Sequence, residues 1–179
     1  YCDTRYAYEE GEEMDIGAIV GRVSSYRCPL VEVTGGEPLI QKDTPALARR
    51  LLDEGYRVLV ETNGSKDISR VDDRCVKIVD IKCPASGESG QNDLGNLDRL
   101  TEEDEIKFVI GDRDDYEYAK KMLGKVDHNR LGNHPVHFAP VFGKIAPEVL
   151  AKWILQDGLD VRLQIQLQKI IWSPEKRGV

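Results

Sequence analysis

Cysteine and histidine are scarce in this chain, and their placement argues against two common uses. The four cysteines, Cys2, Cys28, Cys75 and Cys83, include no Cys-x-x-Cys pair and are too sparse for a disulfide framework, as expected in a reducing compartment. The three histidines, His128, His134 and His137, stand far from Cys2 in sequence, so the spacing fits no compact zinc motif and offers no catalytic histidine pair. Long apolar runs are missing too. Nothing approaches the ~20 residues of a membrane span, and no signal-peptide pattern opens the sequence, which points to a cytoplasmic protein without a membrane partner. Basic blocks and aromatic-interleaved Lys/Arg stripes are absent at a net charge of −7, which argues against a direct nucleic-acid partner and for a small ligand. Repeats, low-complexity tracts and linkers are likewise lacking. At 179 residues and 40% hydrophobic content there is enough for one core and too little for two ordinary domains, so residues 1–179 are expected to form one domain.

What is present is an alternation of strand and helix signals. Ile16, Ile19, Val20 and Val23 recur at helical spacing and predict an amphipathic helix from about Asp15 to Tyr26. A strand follows over Leu30 to Thr34. Asp43-Thr44-Pro45 then supplies a capping residue with proline in the first turn of a helix running to Gly55, and Val58 to Glu61 is the next strand. Val76 to Ile81 is a continuous apolar run, as in a parallel strand buried on both faces, and Glu105 to Ile110 is expected to repeat that pattern. Asp112 to Leu123 reads as a helix stopped by Gly124, Val136 to Val141 as a strand, Pro147 to Gln156 as a helix and Val161 to Leu167 as the last strand. The polar, glycine-bearing interval from Ser86 to Asp104 is expected to be a long active-site loop with at most a short helix near Leu97. The apolar stretch Ile165 to Trp172 should pack down and not fray. Cys28, Cys75 and Cys83 lie beside or within strand candidates and are expected to pack as small hydrophobes. The alternation predicts an α/β fold of predominantly parallel strands in an incomplete (β/α) barrel.

Val33-Thr34-Gly35-Gly36-Glu37-Pro38 is the most informative stretch. Paired glycines at a strand's carboxyl end let a ligand approach the backbone closely, and α/β folds place their ligand sites at that edge. With Tyr1-Cys2-Asp3-Thr4, Glu61-Thr62-Asn63-Gly64, Asp80 to Gly87, Glu105 to Gly111, Phe138 to Gly143 and Leu167 to Trp172, the motif resembles the radical S-adenosylmethionine (SAM) superfamily. Within it, the chain is most similar to the 7-carboxy-7-deazaguanine synthase family of queuosine and deazapurine biosynthesis. Gly-Gly-Glu-Pro alone marks the superfamily; the succession marks the member.

The resemblance implies a radical SAM lyase using a four-iron, four-sulfur (4Fe-4S) cluster, SAM and Mg2+. The 5′-deoxyadenosyl radical abstracts hydrogen from 6-carboxy-5,6,7,8-tetrahydropterin, and ring contraction with loss of ammonia gives 7-carboxy-7-deazaguanine. Cys2 resembles the last of the family's three cluster cysteines. The other two and a preceding strand are therefore expected upstream of Tyr1, so that the chain looks truncated at its amino terminus and unable to assemble the cluster alone. Thr4 resembles the residue whose hydroxyl contacts magnesium; on local grounds it could equally hydrogen-bond its own turn. The resemblance assigns Tyr1, Asp3, Gly35, Gly36, Glu37, Glu61, Asn63, Lys82, Pro84, Ser86, Pro140 and Phe142 to SAM, with Glu37 near its ammonium and Glu61 near its ribose. Asn63-Gly64 also makes an ordinary tight turn, and Lys82 and Pro84 also read as a solvated charge and a strand terminator. Thr34, Gln168 and the chain end at Val179 fall on the substrate side. Gln168 stands where the family usually carries a histidine, and glutamine hydrogen-bonds without titrating. The partners implied are a small pterin substrate and an electron donor such as flavodoxin, with a homodimer left open. The alternatives are another small radical SAM enzyme, such as an activase, or a non-catalytic nucleotide- or protein-binding remnant.

Overall fold

The computed structural model describes residue 2 and residues 4–8, 10–125 and 134–178, so the expectations for Tyr1, Asp3, His128 and Val179 lie outside the described residues. Six strands, β1 (Leu30–Val33), β2 (Arg57–Thr62), β3 (Val76–Ile81), β4 (Glu105–Ile110), β5 (Val136–Pro140) and β6 (Arg162–Leu163), follow one another in sheet order as in sequence. The sheet runs from β1 to β6 without closing, and β1–β2, β2–β3, β4–β5 and β5–β6 all pair parallel, the α/β open-barrel arrangement expected from the alternation. The chain divides into two compact units, one of Cys2–Val79 with Asn92–Asp104, the other of Asp80–Gln91 with the chain from Glu105 onward.

In the first unit, helix α1 (Ile16–Ser24) starts where Asp15 accepts a hydrogen bond from the Ala18 amide at 2.8 Å. Helix α2 (Thr44–Asp53) has proline in its first turn and buries Ala48 and Leu51. Asp43 precedes it in helical geometry without a side-chain cap; it is Thr44 whose hydroxyl donates to Pro38 O at 2.6 Å. Strand β2 alternates, with Val58, Val60 and Thr62 inside, whereas β3 is buried at every position. That burial takes in Lys77, 1% exposed, whose ammonium lies 3.3 Å from Asp104, itself fully buried. The same Asp104 accepts from the Lys77 and Thr101 amides at 2.7 Å each, so the charge pair is held by backbone donors on two segments. The interval after Ser86 is therefore no open loop. It contains the 3-10 helix Leu94–Arg99 and is pinned to its own unit at its far end by Asp104.

In the second unit, β4 alternates instead of burying both faces: Ile106, Phe108 and Ile110 are inside while Glu105, Lys107 and Val109 are half-exposed. Phe108, Phe138 and Tyr116 meet edge to face, with centroids 5.6 and 5.9 Å apart. Helix α3 (Arg113–Leu123) is capped by Asp112 and ends at Gly124, which keeps right-handed geometry (φ −68°) and not the left-handed stop that glycine permits. Helix α4 (Pro147–Asp157) joins α3 through Asp157, which accepts from the Tyr116 hydroxyl at 2.9 Å and from Lys120 at 2.6 Å. The last strand is shorter than its apolar run predicts. Only Arg162 and Leu163 pair, and Gln168–Ile171 form a short helix, α5. Its side chains do not pack down as expected: Leu167, Ile170 and Ile171 are each about 60% exposed.

Candidate cofactor and substrate site

In the first unit, the carboxyl ends of β1 and β2 are welded by one carboxylate. Glu37 Oε1 accepts from the Leu39 amide at 2.9 Å and from the Thr62 hydroxyl at 2.8 Å, and Oε2 accepts from the Asn63 amide at 2.7 Å. The buried carboxylate thus spends much of its acceptor capacity on its own turns, and its first effect is to fix where the glycines stand. Gly35 sits at φ 135° with nothing within 4 Å of where a Cβ would project, so its backbone faces open space. Thr34 and Gly35 are exposed and Gly36 is half-buried.

The β2 exit is a tight loop built from the sequence's own turn chemistry. Asn63 Oδ1 accepts from the Ser65 amide at 2.9 Å, and Thr62 Oγ1 accepts from the Gly64 amide at 3.2 Å. Gly64 takes φ 70°, and a Cβ there would come within 3.1 Å of Val79. Glu61 stands one residue inside the strand end, half-buried, and Asn63 is bound into the turn, as its Asn-Gly reading allowed. Cys2 is exposed, with its sulfur 3.4 Å from the Thr4 hydroxyl, so the two residues expected to ligand metal are neighbours.

In the second unit, β3 runs into Lys82, whose ammonium lies 2.5 Å from Asp80 Oδ2. The other oxygen, Asp80 Oδ1, is buried with no hydrogen-bond partner among the described residues. Pro84 opens a single 3-10 turn, Pro84–Ser86, in which the Ser86 hydroxyl donates to Cys83 O and accepts from the Glu88 amide. Behind it Asp115, fully buried, accepts from the Ala85 amide and from the Gly111 amide, each at 2.8 Å, bracing the turns after β3 and β4 with one side chain. Pro140 ends β5 buried, and Phe142 beyond it is 53% exposed. The two line a cavity of about 360 Å3, walled also by Ile145, Pro147, Ile165 and Ile170, which suits a flat apolar ring system. Gln168 is half-buried at the start of α5 and so does not present itself from a strand.

The thiols separate by environment. Burial, with the Asp72 charge adding to it, pushes Cys75 up to about 11, and burial among Asp115 and Asp80 raises Cys83 further. Both pack as expected, whereas Cys28 is exposed because it lies in the loop ahead of β1 and not under it. His137 pairs with Glu105 at 2.9 Å on the opening residues of β5 and β4, away from the strand exits. Sequence reading missed Asp115 and Asn96, whose partners lie about thirty residues away and leave no local motif.

An open parallel sheet of β/α units, with Gly-Gly-Glu-Pro after its first strand and a polar or proline-bearing turn at each later exit, defines a partial barrel of the radical SAM class. No family model matches the sequence. Curated relatives do: the chain is 43% identical over 194 residues to the 7-carboxy-7-deazaguanine synthase of Koribacter versatilis, spanning 100% of this chain and 85% of that one. It is 44% identical over 182 residues to the enzyme of the same name from Chlorobaculum tepidum, covering 100% and 82%. The chain belongs to the 7-carboxy-7-deazaguanine synthase family. Among solved structures, QueE from Escherichia coli shares the fold with a TM-score of 0.65 at 21% identity, over 86% of this chain and 64% of that one.

Proposed function

We propose that this protein converts 6-carboxy-5,6,7,8-tetrahydropterin to 7-carboxy-7-deazaguanine with loss of ammonia. The observation that carries the reading is identity of 43–44% across the whole chain to two enzymes of that name. When bound, SAM would supply the hydrogen-abstracting radical, and the chain's own part is orientation and exclusion of water. Gly35, Gly36 and the Glu37 brace hold the methionine end, with Thr34 beside them on the substrate side; Glu61 and Asn63 take the ribose side. The family resemblance assigns Lys82, Pro84 and Ser86 to SAM as well, and Pro140 and Phe142 would offer the apolar cavity of the second unit to adenine. Gln168 hydrogen-bonds the pterin.

The residues fit SAM on two counts. Gly35 leaves backbone open where a ligand would lie, and Asp80 Oδ1 leaves a buried acceptor in want of a donor. They do not fit the cluster by themselves. It needs three thiolates, Cys2 offers one, and the described residues contain no group of three metal-ligating side chains. Thr4 contributes one hydroxyl to a magnesium site that substrate oxygens would complete. A soluble electron donor such as flavodoxin and a cytoplasmic location complete the proposal, with a homodimer left open. No helix of the described residues is long and apolar enough to cross a membrane.

Anaerobic reconstitution with iron and sulfide, followed by assay of 5′-deoxyadenosine and deazaguanine product, tests it. The 179 residues alone should stay cluster-deficient, and a chain extended upstream to include the two further cysteines that the family resemblance implies should turn over the pterin. Turnover of SAM without product in the extended chain would point to another radical SAM substrate.

A further inference from the structure

Asn96 lies on the 3-10 helix Leu94–Arg99 and is 1% exposed, yet every polar atom of its side chain is engaged. Its amide nitrogen donates to Gly64 O at 3.1 Å and to Lys66 O at 2.8 Å. Its oxygen accepts from the Ile68 amide at 3.2 Å and from Arg99 at 2.9 Å. A second strut runs beside it, from the Asp93 amide to Gly64 O at 2.9 Å, and Arg99 clasps Asp93 at 2.8 Å. All the backbone groups that Asn96 takes belong to one stretch, the loop leaving β2. That loop begins at Asn63, whose amide is fixed from the other side by Glu37.

Such an arrangement does more than fill a core. Leucine would fill the same space, but it would strand the Lys66 carbonyl and the Ile68 amide in a buried place and leave Gly64 O with the Asp93 amide alone, at a cost that rises when a partner is removed and not replaced. We propose that Asn96 is a positioning residue for cofactor recognition, holding the loop Asn63–Ile68 in the one conformation in which Glu61 and Asn63 meet a ribose. The inference rests on the SAM site proposed above. It assigns to the interval between β3 and β4 the role of a fixed buttress for the neighbouring exit loop, in place of a flexible lid.

Asn96→Asp keeps shape and the acceptor oxygen and loses both donors, and separately Arg99→Gln removes the outer support of that oxygen together with the ion pairs to Asp93 and Asp67 while leaving the Asn96 donors in place. Both are made in the cluster-loaded extended chain. Amide hydrogen exchange should quicken at Gly64 to Ile68 in Asn96→Asp while β2 keeps its protection. The KM for SAM should rise about 10-fold, with kcat at saturating SAM within about 2-fold of the unmodified protein and the pterin KM unmoved. Arg99→Gln should shift the same two readouts less. A lowered melting temperature with unchanged SAM KM and unchanged loop exchange overturns the proposal, as does a parallel fall of kcat and both substrate affinities. If the unmodified chain binds no SAM in calorimetric titration, the functional reading fails and the ribose role with it, while the exchange pattern decides the loop-holding role separately.

Discussion

At the scale of single residues, the chemistry of the site is legible where a backbone demand writes itself into the sequence. Gly35 and Gly64 could be read as special because no other residue takes positive φ without cost, and both do take it. The thiols were legible only in part. Apolar neighbours correctly placed Cys75 and Cys83 inside, but Cys28 has similar neighbours and is exposed. A measurement follows directly. At pH 8, iodoacetamide should modify Cys2 and Cys28 quickly in the native chain, and Cys75 and Cys83 only after denaturation, because burial both hides them and disfavours the thiolate. Peptide mapping of the alkylated native protein checks it; early labelling of Cys83 would contradict the burial. Glu37 was read from its motif as a ligand-facing carboxylate, and no sequence signal announced that Thr62 and Asn63, twenty-five residues on, would occupy it.

At the scale of elements, periodicity located every strand and long helix of the described residues, because burial on one face or two imposes its own spacing. It misjudged the ends. The last apolar run has strand composition, yet beyond Leu163 the described chain forms turns and the short helix Gln168–Ile171, whose isoleucines stay largely exposed although Ile170 edges the cavity. The junction of α3 and α4 yields a pH prediction. Hydrogen bonds from Lys120 and then Tyr116 hold the Asp157 carboxyl below its usual value, and Asp157 raises Lys120 above its own. A depressed carboxyl pKa contributes stability that is present above the unfolded value and lost as pH falls through the folded one. A raised lysine contributes stability below its unfolded value, lost as pH rises through the folded one. Asp157→Asn should therefore melt lower than the unmodified chain at neutral pH, and the gap should close as pH falls below the ordinary carboxylate range. Parallel melting curves from pH 2 to 8 check it; a gap constant across that range would show that Asp157 acts by shape alone.

At the scale of the whole molecule, sequence and structure agree on class because motif succession and fold are two records of one requirement. Each parallel strand must deliver its carboxyl end, with a specialised turn, to a ligand edge. What the sequence did not disclose is how those turns are steadied. Asp115 and Asn96 each serve backbone groups far along the chain, and long-range partnerships leave no local spacing to read.

The chain also leaves the first unit after Val79 and returns to it only for Asn92–Asp104. Considered in time, this sets an order of events during synthesis. The β2 exit loop emerges from the ribosome early, but Asp93, Asn96 and Asp104 follow a few seconds later at about 5–20 residues per second. Until then Gly64 and Lys66 lack their partners and Lys77 lacks its buried counter-charge. A nascent chain stalled before residue 92 should thus expose the loop after β2 to protease, and one stalled once Asp104 has cleared the exit tunnel should protect it. The β2 exit loop is thus completed late, by a segment made about thirty residues after it.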